Sequence, residues 1–215
     1  MGTTALGFDL IVEIFLLLLI GIGPKIALVP YLELTSGMDR LTKAKVVRKM
    51  LVTAGSVAVI LVILGELLTR LLHFSTGSLS VAGGIILLII SVSMVLGPGD
   101  DDARHRALER KDPLKLAVSP LAVPYLLNPA GIVALVTLSA EAGTVGLVAV
   151  VLAVLVLVLA VDVAVFTWAN RVSEHLDQSR MLITEKVFGF LLAALGVQLV
   201  LNGLSDVGVI HLIHS

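Results

Sequence analysis

The chain has 215 residues, 58% of them hydrophobic and 14% charged, with a formal net charge of −1 and a mean hydropathy of +1.08. Soluble domains run nearer roughly 45–50% apolar and about 25% charged, so the composition excludes an ordinary soluble domain and gives an all-α integral membrane protein. There is no cysteine, which excludes disulfides, thiolate metal sites and cysteine nucleophiles.

The first apolar run covers residues 8–22, with Asp9 and Glu13 near its start, and continues past Gly23-Pro24 to Leu34. A cleaved signal peptide wants positive charge before its apolar core. Here acids follow uncharged leading residues, which predicts an uncleaved first transmembrane helix, broken at Gly23-Pro24. Further apolar runs span Val46–Leu68 and Leu79–Leu96. A polar loop over 97–115 then contains Asp100-Asp101-Asp102 and Arg104-His105-Arg106. The fourth run, Leu116–Leu138, carries Pro124, Asn128, Pro129 and Gly131 near its centre. Proline inside a helix removes an amide donor and clashes with the preceding turn. Asn followed by Pro is also how a helix begins, with Asn as cap and Pro in the first helical position. The fourth span therefore reads as one helix broken at mid-depth and restarted at Pro129. The fifth and sixth runs cover Val145–Trp168 and Val187–Leu204.

Six spans separate the basic residues cleanly. Arg40, Lys43, Lys45, Arg48 and Lys49 fall between spans one and two. Arg104, Arg106, Arg110, Lys111 and Lys115 fall between three and four, and Arg171, Arg180 and Lys186 between five and six. The opposite side has only Arg70. The positive-inside rule then places both termini outside the cytoplasm of a multi-pass protein of the inner (plasma) membrane.

A shift of 105 residues aligns the two halves in pieces: Gly23-Pro24 falls on Asn128-Pro129, and Gly84 on Gly189. Each half has three spans, so the halves sit in opposite orientations. The expected architecture is two inverted-topology three-helix repeats, residues 1–97 and 116–215, joined by a cytoplasmic loop at 98–115, in one membrane domain. Inverted repeats with discontinuous helices are a recurrent plan of secondary transporters.

Irregular backbone at membrane depth survives only where it is buried in protein or lines a cavity. Two restarted helices would bring unpaired amide donors and positive dipole ends to one place, which suits a carboxylate. The candidate binding residues are Gly23, Pro24, Lys25, Asn128, Pro129, Ala130 and Gly131, with the glycines permitting close approach of a small ligand. Lys25 costs at least about 2.5–3.5 kcal/mol near the bilayer centre. Two readings of it stand side by side: an ion pair with Asp162 of span five, or a snorkel to the cytoplasmic interface. Asp162, Lys25 and Glu66 are the candidate coupling or ion-pair residues, although Glu66, like Asp9 and Glu13, also fits an interfacial position. Ser91, Ser93, Thr137 and Ser139 can bond back to their own helices, and Gln198 and Asn202 can bond across helices. His73, His105, His175, His211 and His214 have no metal-ligand spacing, and no nucleophile–base pattern, phosphate loop or nucleic-acid patch is present. No cofactor and no enzymatic activity are expected. The basic loops are explained by topology and by contact with anionic lipid.

Gly23-Pro24 through Pro30-Tyr31-Leu32-Glu33-Leu34-Thr35 is similar to the first-helix pattern of the MarC family of six-span membrane proteins. Pro120-Leu121-Ala122-Val123-Pro124 through Pro129, Gly83-Gly84-Ile85 and the segment 189–203 also resemble that family. The resemblance covers nearly the whole chain. It implies a transporter of small neutral amino acids, although many members have no established substrate. The chain departs from the pattern with Gly23 in place of Asn or Asp, Lys25 in place of an apolar residue, and Asn128 in place of Gly. It also reverses the family's Gly-Ala to Ala130-Gly131. A fixed cation at Lys25 favours a more anionic substrate or acts as a counter-charge to a proton. The expected function is a secondary transporter of a small carboxylate-bearing solute, a small amino acid, with proton coupling resting on Asp162 and Glu66. The alternative is a non-transporting membrane scaffold or regulatory component. Partners are the small-molecule substrate and membrane lipid, not nucleic acid; a homo-oligomer is left open.

Overall fold

The structure, a computed structural model, describes residues 7–96, 112–142, 144–172 and 178–210, with only the backbone for 172 and 178–185. Most of the loop at 97–115, the side chain of Arg180, and His175, His211 and His214 lie outside the described residues.

Helix α1, Phe8–Gly21, ends because Pro24 has no amide to continue it. The chain turns extended at Gly23 (φ −150°, ψ 161°) and restarts as α2, Pro24–Leu34, with Pro24 at the tolerated first position. A turn through Gly37 (φ +77°), a left-handed conformation that favours glycine, leads to α3, Arg40–Leu72. This helix starts earlier than its apolar run suggests, so Arg40, Lys43, Lys45, Arg48 and Lys49 ride on its first turns instead of occupying a loop. The reason is a cap: Asp39 accepts the amides of Leu41 and Thr42, each at 3.1 Å. Hydrogen bonds from the Thr42 hydroxyl and backbone hold the Asp39 carboxyl below the usual carboxylate range.

Helix α4, Thr76–Leu96, follows a break at His73 (φ 54°). After the undescribed loop, Asp112 caps the short α5, Pro113–Leu116. From Ala117 to Leu126 the backbone is irregular, with extended residues at Ser119 (φ −143°) and Val123 (φ −133°), each before a proline in a cis peptide. Residues preceding proline avoid the helical region. This corrects the expectation of a helical first half for the fourth span: only its second half, α6, Pro129–Glu141, is a regular helix of length. Helices α7, Val145–Val172, and α8, Gln178–Asp206, complete the described chain.

Among the described residues, four segments are long and apolar enough to cross a bilayer: Arg40–Leu72, Thr76–Leu96, Val145–Arg171 and Lys186–Asp206. Pro129–Glu141 is a shorter apolar helix. The main core gathers Leu18, Ile22, Tyr31, Met50, Leu127 and Phe166 around the two chain breaks. Large apolar side chains also face outward, with Phe190 71% and Leu71 64% exposed. A water-facing surface would be penalised for this display, whereas lipid accepts it.

Helices α4 and α8 lie antiparallel, backbone close to backbone. A methyl group at Gly84 would come within 2.6 Å of the Gly196 carbonyl oxygen, and one at Gly196 within 3.0 Å of the Gly84 oxygen. Small residues permit this approach in membranes, where van der Waals packing drives helix association. The contacts repeat at a fixed offset. Gly84 meets Gly196 and Val200; Gly189 meets Ser91 and Val95, and each of these four relations maps on another by 105 residues. Gln198 and Asn202 bond to one another along α8 at 2.8 Å, not across helices as their polarity suggests.

Candidate functional site

The two interruptions meet inside the protein. Ile22, at the end of α1, forms an antiparallel bridge with Leu127, just before α6, and these residues stand 105 positions apart. Proline at position 24 deprives the Ile20 carbonyl of its helical amide partner. The chain break deprives Gly21 likewise. Asn128 supplies both: its side-chain amide donates to Ile20 O at 2.9 Å and its backbone amide to Gly21 O at 3.1 Å. Its side-chain oxygen accepts the Gly131 amide at 3.0 Å, capping α6. Asn128 is fully buried. One residue therefore begins one helix and completes another.

Gly21 and Gly131 make this possible. A methyl group on either would overlap the backbone of the other. Gly23, Pro129, Ala130 and Gly131 are buried and Pro24 half-buried, so six of the seven residues expected at the site sit together at the junction. The two helix starts differ. Asn128 caps α6, whereas no side chain caps α2 at Gly23.

Lys25 and Asp162 do not pair. Lys25 is exposed, on the face of α2 opposite Ile26 and Ala27. Asp162 is fully buried on α7, and neither carboxylate oxygen has a hydrogen-bond partner among the described residues. Counting residues along each span predicts a similar depth for the two, but one side chain faces inward and the other outward. Glu66 pairs instead with Arg70, one turn on, at 2.5 Å near the end of α3, with both side chains substantially exposed. Its backbone amide donates to the Ser139 hydroxyl at 3.0 Å, so Ser139 ties α3 to α6 rather than bonding back to its own helix.

Sequence reasoning missed a second polar contact beside the junction. The Tyr31 hydroxyl of α2 donates to Asn170 Oδ1 of α7 at 2.5 Å, and the Tyr31 ring meets Phe166 edge-on at 5.1 Å. Asp162, Phe166 and Asn170 recur at four-residue spacing, which puts them on one face of α7. The spacing was visible; a helix apolar all round gives no polarity signal to choose the inward face. Gly21 was also missed, although Gly21-Ile22-Gly23-Pro24 places two glycines beside the break.

A family model described as "MarC family integral membrane protein" matches residues 8–207. The chain belongs to the MarC family. A UPF0056 membrane protein of Archaeoglobus fulgidus is 29% identical over 193 residues, covering 89% of this chain and 91% of its own. The UPF0056 membrane protein of Methanocaldococcus jannaschii is 26% identical over 175 residues, covering 81% and 85%. YvbG of Bacillus subtilis, also a UPF0056 membrane protein, is 26% identical over 204 residues, covering 92% and 95%. No solved structure matches. This MarC protein is thus an integral membrane protein, and the family relation runs through both chain breaks.

Proposed function

We propose that this MarC protein is a secondary transporter of a small carboxylate-bearing solute, a small amino acid, bound where the two broken segments meet. The observation that carries the reading is the Ile22–Leu127 junction: irregular backbone from two distant segments, paired inside the core. Building such a junction forgoes regular helix hydrogen bonds on both sides, which a simple anchor or scaffold has no need to do.

The architecture in this reading is six spans in two inverted repeats. The 105-residue offset supports it, because it recurs at the junction and along the α4–α8 interface. A two-fold axis in the membrane plane would produce both. In the present conformation the glycine contact closes the junction. Solute entry requires Gly21 and Gly131 to part, which exposes the uncapped amino end of α2 and the start of α6 to the carboxylate. Asp162 is the candidate proton carrier. A buried carboxylate without a partner is costly, and binding a proton removes its charge. Glu66, engaged with Arg70, has no part in this step.

The test is uptake of labelled glycine, alanine and small carboxylates into proteoliposomes, with a thermal-stability screen of the purified protein against the same solutes. A solute that is carried, stabilises the protein and loses both effects in Asn128→Leu supports the site. Absence of uptake and of any stabilising solute favours a scaffold or regulatory role. Transport unaffected by substitutions at both breaks moves the site elsewhere.

A further inference from the structure

A groove separate from the junction runs along the outer flank between α3 and α7. At one end is a cavity of about 400 Å³ lined by Arg40 and Arg48 of α3 and Arg171 of α7. None of these arginines pairs with a carboxylate among the described residues. Asp39, the acid adjoining Arg40, is occupied by the amides and hydroxyl of its own cap. Besides the arginines, Thr167 and Asn170 of α7 are the cavity's polar lining; the remaining walls are apolar, and Leu51 and Val52 continue into a second, more open hollow lined by Gly55, Ser56, Val59 and Leu159. The two hollows are one track.

Its length and chemistry identify the occupant. From Arg48 to Val59 the helix rises roughly 16 Å at about 1.5 Å per residue. Half of a hydrocarbon core of about 30 Å is one leaflet. A soluble anion would meet the arginines and leave the track empty. A peptide would bring unsatisfied backbone groups into lipid. Clustered cations above an apolar channel one leaflet deep match a molecule with an anionic head and a hydrocarbon chain.

We propose that the α3–α7 groove binds a two-chain anionic phospholipid, its phosphate held among Arg40, Arg48 and Arg171 and one acyl chain laid along Leu51, Val52, Ser56 and Leu159. The arginines present forked donors suited to phosphate oxygens. Lipid from the leaflet on the basic side of the protein fills the track. The bound lipid braces α3 against α7, the helix that carries Asp162 and Asn170. The site is independent of the transport reading and stands whether or not a solute is carried.

The experiment is a lipid titration of the full-length protein in mild detergent, followed by native mass spectrometry and thermal unfolding. The probes are phosphatidylglycerol, phosphatidylcholine and free glycerol phosphate. Phosphatidylglycerol is expected to bind more tightly and raise the Tm more than phosphatidylcholine, and glycerol phosphate to do neither. Each arginine exchanged for glutamine should weaken phosphatidylglycerol binding about fivefold, and the triple variant R40Q/R48Q/R171Q on the order of a hundredfold. Ser56→Phe, or Val52→Phe where that variant folds poorly, should block the track and lose the lipid with all three arginines in place. Arg70→Gln, at the opposite end of α3, should leave binding unchanged. Equal binding of the two lipids, a triple variant that keeps its preference, a glycerol phosphate response equal to the lipid's, or binding indifferent to the phenylalanine variants would overturn the proposal.

Discussion

Asn128 makes four hydrogen bonds from a fully buried position, two of them through its side chain, and two side-chain replacements separate what those two do. Asn128→Ser keeps a hydroxyl able to cap the Gly131 amide but cannot reach across as a second donor to Ile20. It leaves a buried carbonyl orphaned, since Pro24 cannot serve it, and such a group costs about 1–3 kcal/mol. Asn128→Leu loses the cap as well, adding about 0.5–2 kcal/mol. The expected losses are therefore about 1–3 kcal/mol for Ser and roughly 2–5 kcal/mol for Leu. The backbone bond from residue 128 to Gly21 survives in both. Unfolding by a denaturing detergent in mixed micelles, read by helical circular dichroism and by the single tryptophan, Trp168, measures the two differences. A Leu variant within about 0.5 kcal/mol of the parent would refute the view that this side chain holds the junction. A Ser variant as damaged as Leu would show that the cap contributes nothing.

Gly131→Ala should be costlier than an ordinary helix Gly→Ala change, which is usually favourable: its methyl meets the Gly21 backbone rather than a side chain that can yield, so a loss of about 1–3 kcal/mol is expected in the same assay. A neutral or stabilising result would mean that the junction is open in the membrane. Asp162→Leu should raise stability by about 1–3 kcal/mol, because it removes an unpartnered buried carboxyl, while abolishing proton-dependent uptake. A less stable variant with intact, proton-driven uptake would contradict both halves. At Asp39 the folded-state carboxyl is held low, so its contribution is present above the unfolded carboxylate value and is lost as pH falls through the folded one. Amide exchange at Leu41 and Thr42, corrected for intrinsic rates, should accelerate across that acidic window and remain flat in Asp39→Asn.

The sequence showed where the chain breaks and left open what the broken backbone looks like. Pro24 and Pro129 announce restarts because proline at the first helical position forfeits no hydrogen bond, whereas an interior one does, as Pro30 does within α2. The irregular stretch before Asn128 was less legible. Ala117 to Leu126 is apolar enough to be the first half of a spanning helix, and hydropathy cannot distinguish helical from extended backbone. The signal was Pro120 and Pro124, two prolines four positions apart, each forcing its predecessor out of the helical region. The Lys25–Asp162 pair failed for a different reason. Counting residues along a span gives depth, whereas pairing also needs rotation about the helix axis. On α7 the buried positions Val151, Leu155, Val158, Asp162, Phe166 and Ala169 form one stripe, but the opposite face is equally apolar. Only packing against α1, α2 and α3 selects the stripe that faces inward.

The junction also shows why two equivalent breaks need not do equivalent work. Gly23 and Asn128 occupy matching places, yet all of the inter-segment bonds made by residue 128 run one way, toward the carbonyls of α1. Asn128 repairs the damage that Pro24 does to the first segment. The second segment repairs itself through the Leu127 amide, which donates to Ala122 O at 2.9 Å within its irregular stretch. The amino end of α6 is thus partly satisfied by its own cap, and the amino end of α2 is not. A positive helix end attracts an anion most where no side chain already answers it. Under the proposed transport function, the uncapped start of α2 is where a solute carboxylate would gain most, and Asn128 is the pivot whose bonds would persist or re-form as Gly21 and Gly131 separate. In the proposed transport reading, symmetry in the backbone and asymmetry in the caps divide the work, with one break for binding and the other for holding the two halves in register.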